Sequence, residues 1–199
     1  RIYNRSFYEA SSWEYSYFAP HNFSALIKMM GGREKFVDRL QHAFSSNMID
    51  YGNEPSFLTP FCFIYAGRPD LTSYWVRKNY QNYTMDGYPG DEDSGAMGSW
   101  FVFTSMGFFP NAGQNLYLLN GPLFPKITLT MENGNKIVII ADSLSKEKIY
   151  VKSVELNGKP LNRAWISHDE ISKGATIKFS MDSKKSEWGI ENLPPSMDE

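Results

Sequence analysis

The chain has 199 residues, 42% of them hydrophobic and 21% charged, which suits one large domain or two small unequal ones and gives no reason to invoke disorder. Twenty basic residues against 22 acidic ones leave a net charge of -2 with no Lys/Arg stripe, which argues against nucleic acid as a partner. The longest apolar stretches, around Phe57–Tyr65 and Trp100–Phe109, fall short of the roughly 18 residues that a membrane-spanning helix needs, so no membrane span is expected.

Arg1-Ile2-Tyr3-Asn4-Arg5 has neither an initiating Met nor an apolar signal core, and the chain reads as a piece of a longer protein. Asn22 caps a predicted short helix over Phe23–Met30, which Gly31-Gly32 ends by supplying left-handed backbone. Phe36, Val37, Leu40 and Phe44 recur on one helical face and predict a second helix. Pro55 opens a third, expected to run to Tyr65 and stop at Gly67, while Leu71, Tyr74, Trp75 and Tyr80 sketch a fourth. Ala96 to Met106 is the fifth, ended by Gly107. These helices lack a charged outer face, as expected of elements packed on several sides.

Beyond Pro110 the period shortens. Ile127–Thr130 and Ile137–Ile140, joined by Glu132-Asn133-Gly134-Asn135, predict a hairpin, and runs at Ile149–Leu156 and Ala175–Phe179 with an Asn157-Gly158 turn extend it into an antiparallel sheet or sandwich. The fold class expected is therefore α+β, divided near residues 110–120, with an unpatterned tail over Glu191–Glu199.

Three segments concentrate polar chemistry. Asp91-Glu92-Asp93, in a Gly- and Pro-rich loop ahead of an apolar helix, places three carboxylates in a row, whose repulsion raises their pKa values unless a cation or donors offset it; an N-cap at Asp93 or Ser94 explains the loop equally well. Gly52-Asn53-Glu54-Pro55 offers hard oxygen ligands suited to calcium, or simply a helix start with Pro in its first turn. Glu9 and Glu14 sit among aromatics, an environment that keeps a carboxyl protonated as a general acid must be, although a solvated helix face would look the same. Tyr and Trp richness suits a sugar site as well as a core. Cys62 is the single cysteine, in an apolar run, and is expected to be buried and inert. His21, His42 and His168 are isolated, with no His-x-x-x-His zinc pair, no Gly-x-Ser-x-Gly elbow and no phosphate loop.

Taken in order, Tyr8-Glu9 with Trp13-Glu14-Tyr15 and Pro20-His21, Gly31-Gly32, Gly52-Asn53-Glu54-Pro55-Ser56, Gly90-Asp91-Glu92-Asp93-Ser94-Gly95-Ala96-Met97 with Ser99-Trp100, and Gly107-Phe108-Phe109-Pro110 resemble glycoside hydrolase family 92, whose members are exo-α-mannosidases. Pro122-Leu123-Phe124 and Leu156-Asn157-Gly158-Lys159 are similar to that family's C-terminal β region. The resemblance implies that residues 1–112 are the last helices of a catalytic (α/α)6 barrel, that 113–199 are a C-terminal β-sandwich-like domain, and that an N-terminal domain of the same protein completes the substrate pocket. It implies calcium-assisted, inverting hydrolysis of terminal α-mannosides of glycans, α-1,2 linkages foremost, by a secreted, periplasmic or cell-surface protein.

Residue by residue, the resemblance makes Asp93 the general base with Asp91 as its partner or a metal ligand, Glu14 the general acid with Glu9 in reserve, and Asn53 and Glu54 calcium ligands. Trp100, Trp13 and Glu9 would contact the sugar. Asn22 and Phe57 depart from the family pattern, where Asp and His are common, and Phe57 bears on the outer subsite. A noncatalytic carbohydrate-binding module, or another (α/α)6 enzyme such as a phosphorylase or lyase, is the competing expectation, because fold does not fix function.

Overall fold

The computed structural model describes residues 6–197; the expectations for Arg1–Arg5 and the last two residues of the tail lie outside them. Seven α-helices and eight strands are found among these residues. Helix α1 spans Ser12–Tyr15, α2 Phe23–Met29 and α3 Arg33–Ser45. The Asn22 side chain accepts from the Ala25 amide at 3.0 Å, the cap its position predicts, and Gly31 and Gly32 turn the chain at φ 92° and 99°. Phe36, Val37, Leu40, Ala43 and Phe44 form the buried stripe of α3.

The helix expected over Pro55–Tyr65 does not form. Two 3₁₀ turns, Glu54–Ser56 and Thr59–Phe61, lead instead into the single turn α4, Cys62–Tyr65. Pro60 lies inside that stretch, has no amide to donate and crowds the carbonyl four residues earlier, so the segment is broken into short pieces. Helix α5 runs Pro69–Asn79 with Pro in its first turn, and α6 runs Ala96–Met106 and closes at Gly107 with φ 95°.

Strands β1 (Phe108–Pro110), β2 (Tyr117–Leu119) and β7 (Trp165–Ile166) make a small antiparallel sheet. A larger sheet has the order β3-β4-β8-β5-β6, with β3 Lys126–Thr130, β4 Lys136–Asp142, β5 Tyr150–Leu156, β6 Lys159–Pro160 and β8 Ala175–Asp182. The β3/β4 and β5/β6 hairpins follow the predicted turns, with Asn157 and Gly158 both left-handed at φ 52° and 77°. The expectation of a purely antiparallel sheet is corrected: β4 and β8 pair in parallel. The chain between them makes β5, β6, β7 and α7 (His168–Ile171) before returning, which supplies the long crossover that a parallel pair requires.

Ile137, Ile139 and Ala141 of β4 and Ala175, Ile177, Phe179 and Met181 of β8 alternate inward. They belong to one buried cluster with the helical core, in which Met106, Phe108, Leu118 and Leu119 are also members. Polar ties cross the same junction: Arg77 donates to the Pro122 carbonyl at 2.7 Å, the Gly121 amide to Ser73 at 3.1 Å, and Asn120 to the Thr104 carbonyl at 2.9 Å. Among the described residues no helix is long and apolar enough to cross a membrane.

Candidate active site

Three loops assemble the candidate site, and close backbone contact sets two of them together. The Gly52 carbonyl accepts from the Asp91 amide at 3.1 Å. A Cβ placed on Gly90 would stand 2.3 Å from the Gly52 oxygen and 2.4 Å from its Cα, so only glycine lets these strands of loop meet. The contact carries Asp91-Glu92-Asp93 up to Asn53-Glu54. Each motif follows its own glycine directly in the sequence, and that pattern was the available signal for the staple.

The third loop holds Glu9. Its backbone carbonyl accepts from the Asn53 side-chain amide at 3.0 Å, while the other end of that amide, Oδ1, accepts from the Glu54 amide at 3.0 Å and caps the 3₁₀ turn. Asn53 thus serves the helix-start role and also ties its own loop to the Glu9 loop. The Glu9 side chain is exposed.

The carboxyls of Glu54, Asp93 and Glu9 come from these three loops, and the other two bear on Glu54. Partial desolvation first, then the charge and hydrogen-bond reach of Asp93 and the charge of Glu9, push the Glu54 carboxyl above its ordinary range, against a lowering contribution from its own backbone amide. Glu9 and Asp93 also share an unusual backbone, left-handed at φ 63° and 40°, with Ser94 at 59° beside Asp93. Residues with side chains pay energy in that region, and such positions cluster where geometry serves a site.

Within the triple acid the members differ. The Glu92 carboxylate accepts from the Gly98 amide at 3.2 and 3.4 Å and its carbonyl from the Ala96 amide at 3.0 Å, so it caps α6 from the side-chain end. The N-cap position itself falls on Gly95 with φ 94°, in place of the expected Asp93 or Ser94. Asp91 and Asp93 are left exposed on either side of Glu92.

Glu14 is withdrawn from solvent rather than set on a solvated helix face. It is 1% exposed, with Oε2 accepting from the Ser11 amide at 2.6 Å and Oε1 from the Asp50 amide at 2.9 Å. Ser11 and Glu14 form a capping box on α1. Trp100, expected at the sugar, is 1% exposed, donates its ring N–H to the Phe57 carbonyl at 3.0 Å and stacks on Tyr83 at 6.0 Å. An apolar helix at the molecular core draws its largest ring inward. Trp13 packs on α3, with the Arg39 guanidinium 4.3 Å from its ring centre and the His42 ring at 6.0 Å. Cys62 is buried as expected, and burial pushes its thiol well up.

Among the described residues no set of three His, Cys, Asp or Glu side chains stands in metal-holding geometry. The donor set at the junction nonetheless fits part of a calcium site. Asn53, Glu54, Asp91 and Asp93 offer hard oxygens, and the mutual repulsion felt at Glu54 is what a divalent cation would relieve. A cavity of about 450 Å³ backs onto the same loops through Asp50, Tyr51, Gly52 and Pro89, and its wall includes none of these four ligand candidates.

Comparison with known proteins gives a consistent set of matches. The model for the glycosyl hydrolase family 92 catalytic domain matches residues 2–183. An uncharacterized secreted glycosidase of Arthroderma benhamiae is 39% identical over 199 residues, covering 96% of this chain and 26% of that protein. A family 92 α-mannosidase structure from Bacteroides thetaiotaomicron superposes with a TM-score of 0.90 at 28% identity, over 96% of this chain and 27% of the other. A family 92 inverting mannosidase of the same organism gives 0.88 at 29% identity, over 97% and 30%. The chain therefore spans about a quarter of the length of the curated relative it matches.

Proposed function

The chain belongs to glycosyl hydrolase family 92, and from that membership we propose that the polypeptide carrying it is an exo-acting α-mannosidase that removes terminal α-mannose from glycans with inversion. Its helices through α6 are the closing part of an (α/α)6 barrel, residues 113–199 form the C-terminal β domain, and the remainder of the polypeptide completes the substrate pocket. Export from the cytoplasm and a preference for α-1,2 linkages complete the proposal; the Arthroderma relative is named as secreted.

The observation that carries the reading is the meeting of Glu9, Glu54 and Asp93 from three separate loops. Inversion needs two carboxyls on opposite faces of the sugar, one to protonate the leaving oxygen and one to take a proton from the attacking water. Asp93 is assigned as the base with Asp91 beside it. Both are exposed and reach solvent, from which the water comes. The acid is assigned to Glu14, between Trp13 and Tyr15, with Glu9 as the fallback. Glu14 is 1% exposed, whereas Glu9 presents its side chain outward next to the cluster.

Asn53, Glu54 and Asp91 are assigned to hold calcium together with groups from the rest of the polypeptide. Bound there, the ion would supply oxygen coordination and positive charge to sugar hydroxyls. Asn53 also ties down the Glu9 backbone through its side-chain amide.

Proton NMR of the intact polypeptide acting on an α-mannoside tests the proposal. The first sugar signal expected is β-mannose, and a chelator should abolish its formation. Initial release of α-mannose overturns inversion, and turnover unchanged by the chelator overturns the calcium assignment.

A further inference from the structure

We propose that residues 188–197 act as a clasp, anchored in the β region and closed on the first turn of α2, so that the order of that turn depends on contacts made far from it. The inference goes beyond the mannosidase reading and does not rest on it. After β8 the chain, unpatterned in sequence from Glu191 on, is fastened repeatedly. Trp188 is 8% exposed and donates its ring N–H to the Leu161 carbonyl at 2.7 Å, which fixes both the position and the direction of the segment. The Asn192 carbonyl accepts from the Trp165 ring N–H at 3.1 Å, and the Asn192 side-chain amide donates to the Asn162 carbonyl at 3.0 Å. Pro194 is buried.

The other end of the clasp meets a helix start. The first amides of a helix have no carbonyl partner within it and need acceptors from elsewhere. In α2 the Asn22 side chain serves Ala25, while the Ser24 amide donates at 3.0 Å to the Ser196 hydroxyl, 172 positions away. Beside it the Met197 amide donates to the His21 carbonyl at 3.2 Å. The Pro20 carbonyl is held from the connection between β1 and β2, by the side-chain amides of Asn111 at 3.0 Å and Gln114 at 2.6 Å. Two separate pieces of the β region therefore grip the chain where α2 begins. A local cap forms with its helix, whereas a cap carried on a distant segment forms only while that segment is docked.

Gly189 offers a way to disturb the anchored end without touching α2. It is left-handed at φ 75°, and a Cβ there would stand 2.9 Å from the Ala164 Cβ. A methyl group at this position pushes the segment off the β region seven residues before Ser196.

Hydrogen exchange in the intact polypeptide tests the clasp, read at the Ser24 amide and, for comparison, at the Ile139 amide within β4. Ser196→Ala removes the acceptor and should quicken exchange at Ser24 about 10-fold, while Ser196→Thr, which keeps a hydroxyl, should stay within about 3-fold of wild type. Gly189→Ala and the milder Asn192→Ala, both made at the anchor, should quicken Ser24 by about 3- to 10-fold, and Ile139 should keep its wild-type rate in Ser196→Ala and Asn192→Ala. Unchanged exchange at Ser24 in the anchor variants overturns the coupling; if Gly189→Ala does not fold, Asn192→Ala decides alone. A rise at Ile139 equal to that at Ser24 in Ser196→Ala means general loss of stability and overturns the clasp as well. So does a Ser24 amide that already exchanges in wild type as fast as an unprotected one.

Discussion

The loop-and-helix part and the five-stranded sheet are built on opposite rules. Nine of the eleven buried polar side chains among the described residues lie between Ser11 and Ser105, and none lies in the five-stranded sheet, so buried side-chain hydrogen bonds are concentrated in the first region while the sheet buries only apolar side chains. Glu9, Asp93 and Ser94 add left-handed backbone to the first region, whereas β4 and β8 run in extended pairs with apolar residues turned inward. Stability invested in the sheet supports geometry held in the loops. A polar network specifies one arrangement but tolerates little change, while a hydrophobic sheet tolerates exchange of its outer face.

That contrast is broken most severely at the site. Asp93→Asn in the intact polypeptide should lower kcat by about 10²- to 10⁴-fold with the unfolding midpoint nearly unmoved, the range a lost general base gives; steady-state kinetics beside thermal unfolding checks both halves. The converse holds in the sheet. Phe179→Ala removes a fully buried ring and should cost about 3–5 kcal/mol of stability, while the turnover number per folded molecule stays close to wild type. Denaturant unfolding with kinetics on the folded fraction distinguishes the two cases, and a large loss of turnover per folded molecule would erase the division of labour.

Gly90→Ala joins the regions' logics, since a methyl group there meets the Gly52 backbone at 2.3 Å. Forcing the loops apart should cost about 1–3 kcal/mol and lower activity more than stability. An active, stable variant would show that the staple is dispensable.

The smallest effect concerns charge. Crowding by Asp93 and Glu9 adds to desolvation in raising the Glu54 carboxyl. A raised carboxyl favours the folded state while protonated, at pH below its unfolded value, and that contribution is lost as pH rises through the folded value. Near neutral pH the ionised Glu54 is therefore a small liability without a cation. Glu54→Gln should raise the unfolding midpoint in chelator by about 1–2 °C at pH 7, and the gain should vanish near pH 3. A midpoint lowered at pH 7 would mean the carboxylate is stabilised by a partner and the crowding argument fails.

Much of this architecture is local and was legible in the chain itself. Asn22 followed by Gly31-Gly32 marks α2, the apolar spacing of Phe36 to Phe44 marks α3, and Asn157-Gly158 marks a hairpin, because caps, periods and left-handed turns act within a few residues. The acid-bearing segments were equally visible, since their residue types are unusual together. Three matters were settled only in three dimensions. Pro60 broke a helix that the apolar pattern favoured, β4 found β8 as a parallel partner across a long crossover, and the amide of Asp50 drew Glu14 inward while Glu9 stayed at the surface. Two glutamates five residues apart have the same chemistry in the sequence; a capping box with Ser11 is local to Glu14, but only the fold brings the Asp50 amide, 36 residues away, to its other oxygen.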